Sequence, residues 1–338
     1  MNNNNILLDF GIPTCKTESV KDIVINVSAR NDSFFNNFRI SKEFSEKILD
    51  YYKQALEVPK YEKSNALSVL TNVIHIKKFE PVQLVEEDFW NADPYKNRSW
   101  QWGHHNWAGI WPLAQAAYID NDKTSLEKLF ERIEQWANIA MTEPTSQEML
   151  WHDHSTALRL DKIVSLIALF ANSISINQLK ILKKLLICHA IILSHEDFYS
   201  KHTNHGYDQV LAMYQATHPS IIDGLEKLNR LAYRRLIDEI KFAFTEEGVH
   251  KENSPNYHRG MISNLIRGRK ILNVLPCIDK GESLNFLDTI LDKSLYFLAC
   301  IAQPDSRIPI IGDSENSLLS KKLSQLSFYN NYKHYLFS

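Results

Sequence analysis

The chain is short of glycine. Ten glycines in 338 residues, about 3%, fall well below the roughly 7% of ordinary proteins. Tight turns are therefore scarce, which argues against a many-stranded sheet and for helices. Cysteine is also sparse. Cys15, Cys188, Cys277 and Cys300 are far apart with no Cys-x-x-Cys pair; three lie in apolar helical patterns and are read as buried thiols, and no metal site is expected. Neither charge is in excess. A net charge of −2 gives no global basic field for nucleic acid, so no nucleic-acid partner is expected, and an acidic ligand has to be met by local charge. No apolar run approaches the roughly 18 residues of a membrane span. The opening Asn-rich segment lacks a basic stretch followed by a long apolar one, so no signal peptide is expected. A cytoplasmic location follows as the expectation, or a periplasmic one if a leader has been removed.

What is present is a core and a helical period. Hydrophobic residues make up 44% of the chain and charged ones 23%, enough to bury one large domain. Residues 1–40 read as polar and irregular, with a short strand at Asp22–Val27 and a loose Asn-rich end. A helix is expected from Lys42 to Leu56, capped by Ser41. Residues 60–106 show no clear period. From there the pattern is clean. Thr124-x-x-Glu127 reads as a capping box opening a helix with the stripe Leu126, Leu129, Phe130, Ile133, Trp136, Ala137, Ala140. Further helical patterns fall near 155–172, 177–196, 207–217, 221–245, 259–275 and 283–302, joined by short polar segments. Such helices pair antiparallel. The expected fold is all-α, an incomplete (α/α) toroid of paired antiparallel helices after a short irregular or β-like N-terminal region. Its parts are residues 1–100, the toroid 101–315 and a tail 316–338, packed together as one domain.

Unusual side chains gather in the joints between helices. Four clusters stand out: Trp102-Gly-His104-His105-Asn106-Trp107; Trp151-His152-Asp153-His154 with Arg159; His202-Thr203-Asn204-His205-Gly206; and Glu252-Asn-Ser254-Pro255-Asn-Tyr257-His258-Arg259. Aromatic rings stack on the apolar faces of sugars while polar groups fix their orientation, so these joints are candidate sugar contacts. Each has a plainer reading. Trp102, Trp107 and Trp111 are read as core residues as readily as platforms. His152 and His154 could satisfy buried backbone, Asn204 could sit in a turn, and Ser254-Pro255 could simply start a helix.

The order Trp151-His-Asp-His154…Arg159, Thr203-Asn204-His205-Gly206, Glu252-Asn-Ser-Pro-Asn-Tyr257-His258 and Pro309-Ile-Ile-Gly312-Asp313 resembles the heparinase II/III and alginate lyase superfamily over residues 100 to 315. The resemblance implies cleavage of uronate-containing glycans by β-elimination, with an acidic poly- or oligosaccharide as partner and no cofactor or metal. It assigns Asn204 to the uronate carboxylate and Tyr257 to proton transfer. His154 and Arg159 join them as catalytic candidates, and Trp107, Trp151, His205, His258, Arg259 and Glu252 as substrate contacts. Family lyases continue into a β-sandwich; no such domain is expected within these residues, so a partner protein that completes the cleft is one expectation. A role in surface-polysaccharide production is another. Two other functions stay open: a toroid that binds or hydrolyses glycans without eliminating, and a helical scaffold for protein partners.

Overall fold

The apolar periods become helices in the computed structural model, which describes residues 20–318 apart from 145, 253, 277–279, 304, 306 and 317. The Asn-rich end, Cys15, Cys277 and most of the 316–338 tail therefore lie outside the described residues. In chain order the elements are α1 (Val20–Ser28), α2 (Asp32–Asn36), β1 (Arg39–Ile40), α3 (Glu46–Leu56), α4 (Lys63–Leu70), β2 (Val73–Ile74), β3 (Val82–Gln83), α5 (Arg98–His105), α6 (Trp111–Ile119), α7 (Lys123–Thr142), α8 (Asp153–Phe170), α9 (Ile176–Ser194), a 3-10 turn (Glu196–Phe198), α10 (Asn204–Ala216), β4 (Ile222–Asp223), α11 (Glu226–Ala243), α12 (Pro255–Val274) and α13 (Lys280–Ile301). The described strands are two residues long and form two small antiparallel pairs, β1 with β4 and β2 with β3.

Several local expectations need correction. The strand at Asp22–Val27 is helix α1. Its β-branched residues mislead, but Val20, Ile23, Val24 and Val27 follow the i, i+3, i+4, i+7 helical spacing, and Ile23, Val24 and Val27 are buried. The helix expected from Lys42 begins at Glu46, because Ser45 rather than Ser41 accepts a backbone N–H, that of Ile48. Ser41 instead donates its hydroxyl to the Glu43 carbonyl. The Thr124 capping box is absent. Asp122 caps α7 from two residues earlier by accepting the Thr124 N–H and the Ser125 hydroxyl. The box occurs at Ser175 and Gln178, at the start of α9. Residues 60–106 hold two helices, α4 and α5. Cys188 is buried, which pushes its thiol up to about 12, but Cys300 is exposed.

The chain divides into two units, Met1–Lys201 with His205–Tyr233, and His202–Asn204 with Arg234–Ser338. The first is organised on α9, which packs against α8, α7, α1 and α2. Leu182, Leu185, Leu186, Ile187, Ile191, Ile192 and Leu193 are all buried, and from Leu185 to Ser194 every residue is buried, so the second half of this helix is enclosed on all sides and central, while its first turns carry lysines and an exposed Ile176. Each such side chain contributes about 1.5–3 kcal/mol of transfer free energy. Arg159, early in α8, meets His189, late in α9, so the pair runs antiparallel.

In the second unit α12 packs on α13. Two contacts, His258 with Ser294 and Arg269 with Asp288, again run in opposite sense along the two helices. The turn at 245–250 lies close on α13. A Cβ at Gly248, whose φ is +78°, would fall 2.6 Å from Lys293 Cβ and 2.7 Å from the Ser294 nitrogen, so only glycine fits there. The Ser294 hydroxyl donates to the Gly248 carbonyl at 2.8 Å and closes the contact.

Candidate active site

In the first unit, the start of α8 meets the first turn of α10. His154 Nε2 donates to Asp208 Oδ2 at 2.9 Å, and His205 Nδ1 donates to Asp153 Oδ2 at 3.1 Å. The two imidazoles stack with centroids 4.2 Å apart and planes 20° from parallel. Each ring is thus fixed by one carboxylate, which selects its tautomer and leaves the other nitrogen as the acceptor in the neutral form. The Ser200 hydroxyl also donates to Asp153 Oδ2. Burial disfavours charge on Asp153, but the Ser200 hydroxyl, the His154 backbone N–H and the neighbouring histidines outweigh it and hold the carboxyl below its ordinary value. His152 Nδ1 lies 3.0 Å from Asp153 Oδ1 without hydrogen-bond alignment, so the two are close but not hydrogen-bonded. Burial lowers His152 despite that carboxylate. Trp102 stands beside the pair, its ring 5.4 Å from His154, and is half-buried. Among the described residues no group of three His, Cys, Asp or Glu side chains is arranged to hold a metal ion.

Beneath this surface lies a dry framework. Arg159 is 0% exposed and reaches no carboxylate in its hydrogen bonds. It donates to the carbonyls of His105 at 2.6 Å and Leu150 at 2.5 Å, to the Thr156 hydroxyl at 3.3 Å and to His189 Nε2 at 3.1 Å. Its guanidinium lies over Trp136 at 4.2 Å and Trp151 at 5.6 Å. His189 accepts at Nε2, so its proton is on Nδ1, donated to the Leu185 carbonyl at 2.7 Å, and burial keeps the ring neutral with a pKa far below its ordinary value. His104 donates to the Phe89 carbonyl and His105 to Gln147, both at 2.8 Å. Burial lowers them to about 4 and about 3. Helix α5 carries these two histidines and comes close to the residues after β2. A Cβ at Gly103 would sit 2.6 Å from Ile76 Cγ2. The helix ends in a Schellman turn, with Ala108 N–H on the Gly103 carbonyl and Trp107 N–H on that of His104. Trp107 occupies the left-handed position usually given to glycine, at φ +66°, and is held there by burial of its indole against Trp136.

In the second unit, α12 begins at Pro255, whose missing N–H costs nothing in the first turn. Ser254 precedes it as expected, but its hydroxyl makes no cap bond to the helix. Ser314 supplies one from the C-terminal loop, accepting the Asn256 N–H at 3.1 Å and meeting Ser254 Oγ at 3.1 Å. His258 accepts the His250 N–H at Nδ1 (3.2 Å) and donates to the Ser294 carbonyl at 2.9 Å. Burial lowers it, against the pull of that carbonyl. Tyr257, on the next position, is 43% exposed. Arg259 donates to Asn256 at 2.8 Å. Glu252 and Asn204 are exposed.

The expected residues thus separate by burial. His154 and His205 are brought together at an accessible joint, and Asn204, Tyr257 and Glu252 reach solvent. Trp151, Arg159 and His258 are buried and bonded to backbone carbonyls, and Trp107 is buried edge-on against Trp136, which removes them from direct contact with a glycan in this structure. Of the indoles left open between core and platform, Trp102 is the more accessible. Asp208 and Ser200 lie outside the residues that the sequence pattern singles out. Only the helical spacing His205-x-x-Asp208 pointed to the aspartate.

A family model described as the heparinase II/III N-terminus matches residues 8–337. No curated protein matches. Among solved structures, heparan sulfate lyase HepC from Pedobacter heparinus aligns with TM-score 0.64 and 16% identity, covering 94% of this chain and 50% of that one. A heparinase III gene product with methylated lysines aligns with TM-score 0.65 and 18% identity over 94% of this chain and 50% of that one. A structure titled heparinase III gives 0.60 and 19% over 98% and 49%. At these identities the likeness establishes the fold, the all-α helical toroid expected from the sequence. The chain spans about half the length of the solved lyases it matches. No helix among the described residues is long and apolar enough to cross a membrane.

Proposed function

The chain belongs to the heparinase II/III N-terminus family, and from that premise we propose that it acts on uronate-containing polysaccharides by β-elimination. The reaction removes the C5 proton, breaks the C4–O4 bond, forms a C4=C5 double bond and protonates the departing O4. Its barrier is the charge that builds on the uronate carboxylate as C5 loses its proton. Asn204 is the proposed amide donor to that carboxylate, worth most where charge develops. Tyr257 is the proposed acid toward O4 and base toward C5. His205, next to Asn204 and oriented by Asp153, and His154, oriented by Asp208, are the proposed polar contacts to the sugar, with Trp102 as stacking surface. Glu252 and Arg259 are the proposed outer contacts. Arg159, Trp107, Trp151 and His258 act as supports for the joints that carry these groups.

The observation that carries the reading is the stacked pair of carboxylate-oriented histidines in the joint next to Asn204. Hydrolysis, which normally uses one carboxylic acid and one carboxylate, is less well supported, since Asp153 is held ionised and is committed to His205 and Ser200.

The test is absorbance near 232 nm, where the conjugated product absorbs, on a panel of uronate polysaccharides with Asn204→Ala and Tyr257→Phe alongside. A rise abolished by both substitutions supports elimination. Binding of the same glycans without any rise would replace it with a binding role.

A further inference from the structure

The joint before α10 contains a residue under backbone strain that the proposed chemistry does not use. His202 has φ +63°, the left-handed region that side chains with a Cβ seldom occupy. Such a conformation persists only where its surroundings over-determine it, and here three contacts do so. Its backbone N–H donates to Glu239 at 2.9 Å. Its ring Nε2 donates to Asp238 Oδ2 at 3.1 Å. Its ring also lies flat on Phe242, with centroids 3.6 Å apart and planes 5° from parallel. Residues 238 and 239 both lie one turn before 242 on α11, so one helix face grips both the backbone and the side chain of a single loop residue.

Two residues after His202, Asn204 opens α10. A left-handed residue reverses the local chain direction, so the φ of His202 decides where Thr203 and Asn204 point. We propose that His202 is a positioning residue: gripped by Asp238, Glu239 and Phe242, it fixes the backbone that aims the Asn204 amide at the substrate carboxylate. The inference rests on the reading of Asn204 as the carboxylate's partner. The Phe242 ring, stacked on His202 and approached by Lys251 at 5.2 Å, belongs to the grip.

Three substitutions separate backbone from ring. His202→Gly keeps the left-handed backbone accessible and removes the ring. His202→Phe keeps the stack and loses the Asp238 bond. Phe242→Ala removes the stack from the other side. Hydrogen exchange over residues 199–207 should quicken at least tenfold in His202→Gly and Phe242→Ala and less in His202→Phe. On a polysaccharide cleaved by the wild-type protein, the same order should appear as a rise in KM and a fall in kcat/KM of about tenfold or more, since small misplacements of a positioned group are costly, with Tm nearly unchanged. Unaltered exchange in His202→Gly overturns the inference, as do wild-type kcat and KM in that variant when Asn204→Ala is inactive. If Asn204→Ala keeps full activity, the reading of Asn204 fails instead, and exchange alone then decides whether His202 holds the loop.

Discussion

Two regions of the first unit are made from the same residue types and behave differently. The framework around Arg159 and the joint around His154 both combine histidine, tryptophan and a charged side chain. In the framework His104 and His189 donate to backbone carbonyls and His105 to an amide, and the rings are neutral and dry. In the joint His154 and His205 are paired with carboxylates and reach solvent. Histidine content alone therefore says little. The partner decides, because a carbonyl in a dry core fixes a neutral ring, whereas a carboxylate at the surface orients a ring that can exchange protons or hydrogen bonds with a ligand.

On this division, substitutions in the joints that carry the chemistry cost activity and substitutions in the framework cost stability. The largest effect is expected for Tyr257→Phe, a loss of about 10²–10⁴ in kcat with an unchanged melting temperature, read from the 232 nm rate and calorimetry. Next is Arg159→Met. It leaves the carbonyls of His105 and Leu150 without their donor in a dry site, and should lower unfolding free energy by about 3–5 kcal/mol, read by urea denaturation. A protein that kept its stability would break the comparison.

The framework histidines set a pH dependence. His104 and His105 are lowered to about 4 and about 3 when folded, against about 6.5 when unfolded. Between those values the unfolded chain binds protons that the folded chain does not, so stability rises with pH and is lost as pH falls from about 6.5 toward 4. Each such histidine adds a slope of up to about 1.4 kcal/mol per pH unit. His104→Gln should flatten the slope across that window, measured by denaturation at pH 7, 5.5 and 4.5. The smallest effect is expected for Asp208→Asn, which keeps an acceptor but removes the charge behind His154. A loss of about tenfold in kcat/KM, with stability within about 0.5 kcal/mol, would sharpen the contrast.

Much of the fold was legible because long helices repeat their apolar period many times. The stretches expected near 177–196 and 283–302 appear as Ile176–Ser194 and Lys280–Ile301. Short elements were less legible. In α1 a run rich in valine and isoleucine masks a spacing that fits a helix, and at Asp122 and Ser45 the capping acceptor lies a few residues from Thr124 and Ser41, which the pattern favours. At the site, the sequence marked the joints by their unusual side chains. It did not separate Trp102 from Trp107, because both indoles flank the same two histidines, and burial is a property of what packs against them.

By itself the sequence determined the class of the protein, since helical periodicity and the shortage of glycine are local properties that each segment carries alone. It also marked which joints hold polar and aromatic residues. Tertiary structure alone decided which of those residues face water. Arg159 became a buried support because α8 turns it toward the carbonyls of His105 and Leu150, residues 54 and 9 positions away. His154 and His205 became a pair because two helix starts, 51 residues apart in the chain, meet. Such long-range contacts follow from packing, where the burial of every neighbour sets the environment of each side chain, and no local pattern encodes them.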